Sequence, residues 1–395
     1  MNVWRSVVLL ALAVGIVLGP VPVARAATPS VIQVSPSGDD STGNGSVASP
    51  FRSISHAIAA ASPGTTIIVE PGTYSTMIAL DKSVTVESDS DQIDAVSKTV
   101  IDAKGQSHGV WIHGAAASGS VVRGFTLKNA DDQGILVEDT AHVLVDDNVV
   151  TNNALQPADA PRDYRVMAED KAIQLEGTSD TEVQNNTVSE NKHGGIAVLD
   201  SQTNPAVGND LAGNRVTNNH GDCGIVLASY LPGKGLRDNV VERNDVTGNV
   251  AGIVVAADPP GTSTVGTVVR GNLVAGNQLP GIIIHSNAAD QVVSGTEVSE
   301  NTIRQNGADP AIRLNEATGI VIAGAVVPVT NTTLRSNTIS DESVPVWQFD
   351  PTARPQFAWG NLLPSTNVLP SVALGLALFL VACILVIRSV SRKRI

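Results

Sequence analysis

Asp170, Lys171, His193 and Asp222 carry the side chains in the middle of this sequence best suited to moving a proton or gripping a cation. Asp170, His193 and Asp222 each stand three residues before an isoleucine, Ile173, Ile196 and Ile225, at matching places in successive copies of one pattern. If those copies stack in step, the three side chains form a column at the strand spacing of ~4.8 Å: carboxylate, imidazole, carboxylate. Two carboxylates favour the charged form of an imidazole between them, which suits a general acid or base near neutral pH. The same trio could ligate a metal. A row of polar turn residues in water is the plainer alternative, because Asp and His are ordinary in turns. Lys192, Asp200 and His220 lie close by in sequence, and so does Tyr230.

The elements that must position this column are repeats. Asparagines five residues apart recur at Asn186/Asn191, Asn214/Asn219, Asn244/Asn249, Asn272/Asn277 and Asn301/Asn306. Each pair precedes a Gly-Ile or similar dipeptide, at Ile196, Ile225, Ile253, Ile282 and Ile312. A fixed period of this size means a solenoid, since one repeat cannot bury its own apolar face and must stack on its neighbours. Runs such as Ile196-Ala197-Val198 and Ile253-Val254-Val255 are short and rich in β-branched residues, which favours strands over helices. Asparagine at the same place in each turn predicts amide side chains stacked into hydrogen-bonded ladders. The expected fold is all-β, a right-handed parallel β-helix solenoid with a short N-terminal capping helix, a signal peptide and one C-terminal transmembrane helix.

The Asn-rich turns and repeated Gly-Ile strands resemble the parallel β-helix repeats of the pectin-lyase-like superfamily, from roughly Val31 to Phe349. For activity the resemblance is broad, because that scaffold serves lyases, hydrolases, epimerases and proteins with no known chemistry. A member acting on uronates would use Lys or Arg to take the proton alpha to a cation-polarised carboxylate, and Lys171 and Arg165 have the matching side chains. The sequence departs from known motifs: it lacks the Asp-Pro-His-Asp of mannuronan epimerases and the Asn-Thr-Asp, Asp-Asp, His-Gly, Arg-Ile-Lys set of polygalacturonases.

In chain order, residues 1–26 read as a secretory signal, with Arg5, the apolar Val7 to Leu18 and the small-x-small site Ala24-Arg25-Ala26. Residues 27–75 form an entry and capping segment, in which Ile54, Ala57, Ile58 and Ala61 share one helical face before Pro63-Gly64. Asp39-Asp40 in its Gly/Ser-rich loop reads as a solvated turn or a cation site. Residues 76–350 are the β-helix. Within it the turn from Ala154 to Lys171 swells and carries Tyr164 and Arg165, so it is expected to wall a groove in which Tyr164, Arg165 and Tyr230 touch substrate. An outward apolar strip, Ala197/Leu199, Val226/Ala228, Val254/Ala256 and Ile283/His285, calls for a cover. Residues 351–367 are a Pro-containing linker ending in Leu363-Pro364-Ser365-Thr366-Asn367, which resembles a cell-wall sorting signal with Asn in place of the usual Gly. Residues 368–387 are long and apolar enough to span a bilayer, and the basic tail 388–395 would keep that end inside.

Without signal and tail the body holds 19 Lys and Arg against 38 Asp and Glu, about −19. Such a surface excludes nucleic acid as a partner and would repel a polyuronate unless Ca²⁺ bridged the two. Aromatics are 3% of the chain, which limits platforms for sugars. Cys223 has no partner in the body, so no disulfide framework exists and the thiol reads as a small buried hydrophobe. The leading functional expectation is a cell-surface β-helix that binds extracellular polysaccharide through a groove. Its rivals are a polysaccharide lyase or C5-epimerase with Asp170, Lys171, His193 and Asp222 as catalytic residues, and a structural or protein-binding stalk.

Overall fold

The protein is described from a computed structural model covering residues 30–89, 98–155, 171–310 and 314–349. The expected signal, the turn residues Tyr164, Arg165 and Asp170, the sorting-like motif, the expected membrane span and the basic tail lie outside the described residues. Among the described residues no helix is long and apolar enough to cross a membrane.

The chain winds into coils of three short strands, and each strand pairs in parallel with its counterpart one coil away. Among the described residues three long sheets result, of 10, 11 and 10 strands, with a smaller four-stranded sheet beside them. The first sheet holds the Gly-Ile strands, the second follows it in each coil, and the third closes the coil. Ile173 pairs with Ile196, Ile196 with Ile225, Ile225 with Ile253 and Ile253 with Ile282, so the repeats stack in the register their spacing predicts.

One departure follows after Asn306. Ile282 pairs with Ile320 rather than with Ile312, because the turn after Asn306 is longer and the Gly-Ile signal recurs at Gly319-Ile320. Asp309, expected in the column of Asp222, instead bridges to Leu314 within that turn.

Alternation sets the interior. Ile173 and Leu175, Ile196 and Val198, Ile225 and Leu227 point inward from the first sheet and are fully buried. Val183, Leu211 and Val241 do the same from the second sheet, and Val188, Val216 and Val246 from the third. One or two aliphatics per short strand fill a narrow barrel, which explains the scarcity of aromatics.

The bends between sheets rest on the asparagines. In Asn214, Nδ2 donates to the Val183 carbonyl (2.7 Å) and to Asn244 Oδ1 (3.0 Å), while Oδ1 accepts from the backbone N–H and Nδ2 of Asn186, each at 3.0 Å. The same pattern links Asn148 through Asn337 along one edge and Asn153 through Asn306 along another. Glu342 ends the second ladder by accepting from Asn306 Nδ2 at 2.8 Å. The residue before each ladder asparagine is left-handed, for example Asn185, Gly213 and Arg243, and this turns the corner.

At the N-terminal end, helix α1 (Ile54–Ala60) buries Ile54, Ala57 and Ile58 over the first coil, and Ser53 caps it by accepting from the His56 N–H. Asp40 accepts from Ser53 N–H, Ser53 Oγ and Arg52 N–H, and Asp39 from the Ser41 and Thr42 N–H groups. Both acids therefore serve the loop backbone, as residues of a turn.

Candidate functional site

The structure joins Lys171 to Asp222 across two coils. Lys171 Nζ lies 2.7 Å from Asp222 Oδ2, with the lysine side chain fully buried and the aspartate 39% exposed. The lysine reaches that far because Gly194 lies in its path without a side chain: a Cβ there would meet Lys171 Cδ at 2.7 Å. Other coils carry Cys223 or Ala251 at this place, so the double glycine Gly194-Gly195 makes the passage. A buried ammonium is tolerated only with such a partner.

Around the pair, Cys223 donates both its N–H (2.7 Å) and its thiol (3.0 Å) to Asp222 Oδ1. Desolvation pushes the Asp222 carboxyl up, but the Lys171 charge and the bonds from Cys223 and Lys171 outweigh it, so the pKa lies below its ordinary value. Desolvation and the adjacent Asp222 charge push the Cys223 thiol well up, which leaves it a poor nucleophile. Tyr230 packs along the outer apolar strip, and burial together with the Asp258 and Asp222 charges raises its phenol.

His193 is partly exposed and sits one coil before Asp222, as the register requires. Lys192 and His220 are exposed, and His220 Nε2 lies 3.4 Å from Glu190. Asp200 belongs elsewhere. It is buried at the far end of its strand and accepts from Ser229 Oγ (2.7 Å), Tyr230 N–H (2.8 Å) and Gly235 N–H (3.0 Å), which pins the next turn. Lys171, Asp222 and Tyr230 are thus brought together, while Asp170, Tyr164 and Arg165 lie outside the described residues. Among the described residues no group of three or more His, Cys, Asp or Glu side chains is placed to hold a metal ion.

The predicted outward strip is real and buried. Ala197, Leu199, Val226, Ala228, Val254 and Ala256 form a cluster on the outer face of the first sheet, with Cys223, Tyr230, Leu279 and Ile283 packed against it.

Toward the N-terminal coils the same outer face changes character. Trp111, Leu136, Gln174 and Ala197 occupy one column, and His113, Glu138, Glu176 and Leu199 the next. Trp111 and His113 stack with ring centroids 3.8 Å apart, and Trp111 Nε1 donates to Glu138 Oε2 at 3.0 Å. Just past these strand ends opens a cleft of about 360 Å³, lined by Ser118, Asp139, Thr140, Gly177, Ser179 and Asn204 among others. Sequence reasoning missed this region because spacings of 25 and 38 residues separate Val110, Ile135 and Ile173, far from the regular period. The usable signal was the alternation in Val110-Trp111-Ile112-His113, which puts both rings on the face opposite the core.

Comparison with known proteins fits the architecture. Residues 81–258 match the family described as a right-handed β-helix region, and residues 36–80 match a protein family of unknown function, DUF1565. No protein of curated function matches the sequence. Among solved structures, pectate lyase Pel9A superposes with a TM-score of 0.54 at 19% identity, over 83% of this chain and 82% of that one. The polygalacturonase of Erwinia carotovora ssp. carotovora gives 0.50 at 11% identity, over 83% and 97%. A mutant of the periplasmic alginate epimerase AlgG gives 0.50 at 17% identity, over 70% and 60%. At these identities the likeness is one of fold. With its coils stacked in parallel register and its central region matched to that family, the chain is a right-handed parallel β-helix repeat protein of the pectate-lyase-like fold.

Proposed function

We propose that this is an exported, surface-anchored β-helix that binds an extracellular polysaccharide along the outer face of its first sheet without transforming it. The observation that carries the reading is a contrast between two places on that face. Lys171, the residue type a uronate lyase or epimerase would use as base, is buried with its ammonium held by Asp222. The Trp111–His113 stack, by contrast, is partly exposed on a strand that ends two residues before Ala115 at the edge of an open cleft. Sugars present flat C–H faces and a rim of hydroxyls, so a ring platform next to hydrogen-bonding groups is the surface they require.

Solved structures named as a pectate lyase, a polygalacturonase and an alginate epimerase share the fold, which supports a glycan as the class of ligand. They also favour the second reading, a lyase or epimerase assisted by Ca²⁺. The stalk reading has less support, because the apolar strip it would use is buried within this chain. Export and anchoring rest on residues 1–26 and 368–395. Deleting residues 368–395 should release the protein into the medium, and retention in the membrane fraction would refute the anchor.

The test is incubation of the purified protein with a panel of neutral, amino and uronate oligosaccharides, with and without Ca²⁺, by calorimetry. Absorbance from unsaturated products and sugar-ring NMR of the recovered material run alongside. Binding with unchanged sugars is expected. Unsaturated ends or inverted C5 centres would establish the enzyme instead, and binding to none of the panel would refute the glycan reading.

A further inference from the structure

We infer that the C-terminal end of the solenoid is a docking surface for this chain's own residues 357–362, with Phe357, Trp359 and Leu362 laid over the open core; this does not depend on the glycan reading. The first ground is a core left uncovered at that end. The inward columns are buried up to the coil before the last, with Ile320, Val298 and Ile303 at 0% exposure. Their register partners in the final strands of the three long sheets, Val346, Leu334 and Ile339, are only partly buried. At the other end helix α1 buries Ile54, Ala57 and Ile58 over the first coil. A solenoid needs such a cover at both ends, because a terminal repeat has no neighbour to stack on.

The second ground is how the ladder and the sheet edge stop. Glu342 stands where the second ladder otherwise has asparagine. Its Oε1 accepts from the Asn306 N–H (2.9 Å) and Nδ2 (2.8 Å), and a carboxylate has no amide hydrogens with which to pass the ladder on. Its Oε2 is buried with no hydrogen-bond partner, and burial together with the Asp341 charge raises the carboxyl pKa above its ordinary value. A donor is therefore wanted at this end, and the Trp359 indole joins an N–H to a large apolar ring. The free edge argues against a second copy as the cover. The Val344 N–H bonds the Ala317 carbonyl, so by strand alternation the backbone nitrogen of Pro345 faces away from the sheet, where it has no hydrogen to give. Proline on an edge discourages the addition of another strand.

The third ground is where the chain goes next. The last strand, Val344–Phe349, borders the open end, and residues 350–356 lead from it to Phe357. Those seven residues extend to ~23 Å, farther than the six-residue strand itself, so Phe357 can reach across the end. A tether this short holds the segment at an effective concentration in the mM range, which an outside partner would have to exceed. Docking shortens the free chain before the apolar stretch 368–387 from residues 350–367 to residues 363–367, which sets the sorting-like motif directly below the solenoid.

Hydrogen exchange of the full-length protein in detergent, read by mass spectrometry, tests this. In a Phe357→Ala, Trp359→Ala double variant the amides of Thr333–Arg335, Thr338–Ser340 and Val344–Phe349 should exchange about ten-fold faster than in wild type, while those of Thr66–Val69 stay unchanged. Both substitutions lie beyond the solenoid strands, and far-UV circular dichroism reports the fold. A synthetic peptide of residues 350–363, supplied at ~1–10 mM to match the tether, should restore slow exchange to the variant. Equal exchange in variant and wild type, or a peptide that restores nothing, overturns the inference. So does protection that rises with protein concentration, which identifies a second copy as the cover, or protection seen only in lipid nanodiscs, which identifies a bilayer.

Discussion

At the scale of single residues, Lys171 and Asp222 show what sequence could and could not reveal. The column of His193 and Asp222 was legible, because both stand three residues before isoleucines that pair in register. That Lys171 would thread past Gly194 to reach Asp222 was not, since it depends on a missing side chain in the intervening coil. Lys171→Met leaves Asp222 without its cation. Removing one member of a buried pair costs ~3–5 kcal/mol, and discounting for the 39% exposure of Asp222 brings this to about 2 kcal/mol, to be read from urea unfolding. The Asp222 pKa is lowered on folding, so its contribution is present above its ordinary value of 3.8 and is lost as pH falls through the lower folded value. The variant should therefore lose the Asp222-dependent part of the acid limb, while the wild type shows it. Equal stability of the two proteins at pH 7 would show that the pair contributes nothing.

At the scale of elements, the asparagine spacing gave the coil and its ladders directly, and the reason is geometric. Each amide has two donors and an acceptor, enough to serve its own coil and both neighbours. The Gly-Ile signal has a steric cause: a Cβ on Gly252 would run into the carbonyl of Gly281 and into Val274, where successive coils approach most closely. The misplacement of Ile312 came from following the period where a longer turn had broken it. Position along the ladder sets the cost of a change. Asn214→Leu strands the Val183 carbonyl and the Asn186 amide in the interior, at ~1–3 kcal/mol for each stranded group, for an expected loss on the order of 3 kcal/mol. Asn337→Leu, at the half-exposed end of the same ladder, should cost about 1 kcal/mol. Equal losses in urea midpoints would mean that the ladder does not act through burial.

At the scale of the whole molecule, the outer face of the first sheet is divided. Its middle is apolar and buried, and its two ends carry ring pairs, Trp111–His113 among the early coils and Trp347–Phe349 on the last strand. The apolar strip was readable from alternation alone. The polar end was not, because the irregular coils around Val110 and Ile135 hid the columns that bring His113, Glu138 and Glu176 side by side. That polar end is the proposed seat of a sugar chain. The most direct measurement is calorimetric titration of the oligosaccharide that binds best into wild type, Trp111→Ala and Trp347→Ala. Loss of the Trp111 ring should weaken binding by about ten-fold or more, while Trp347→Ala should match wild type. Undiminished binding by Trp111→Ala, or a loss confined to Trp347→Ala, would contradict it.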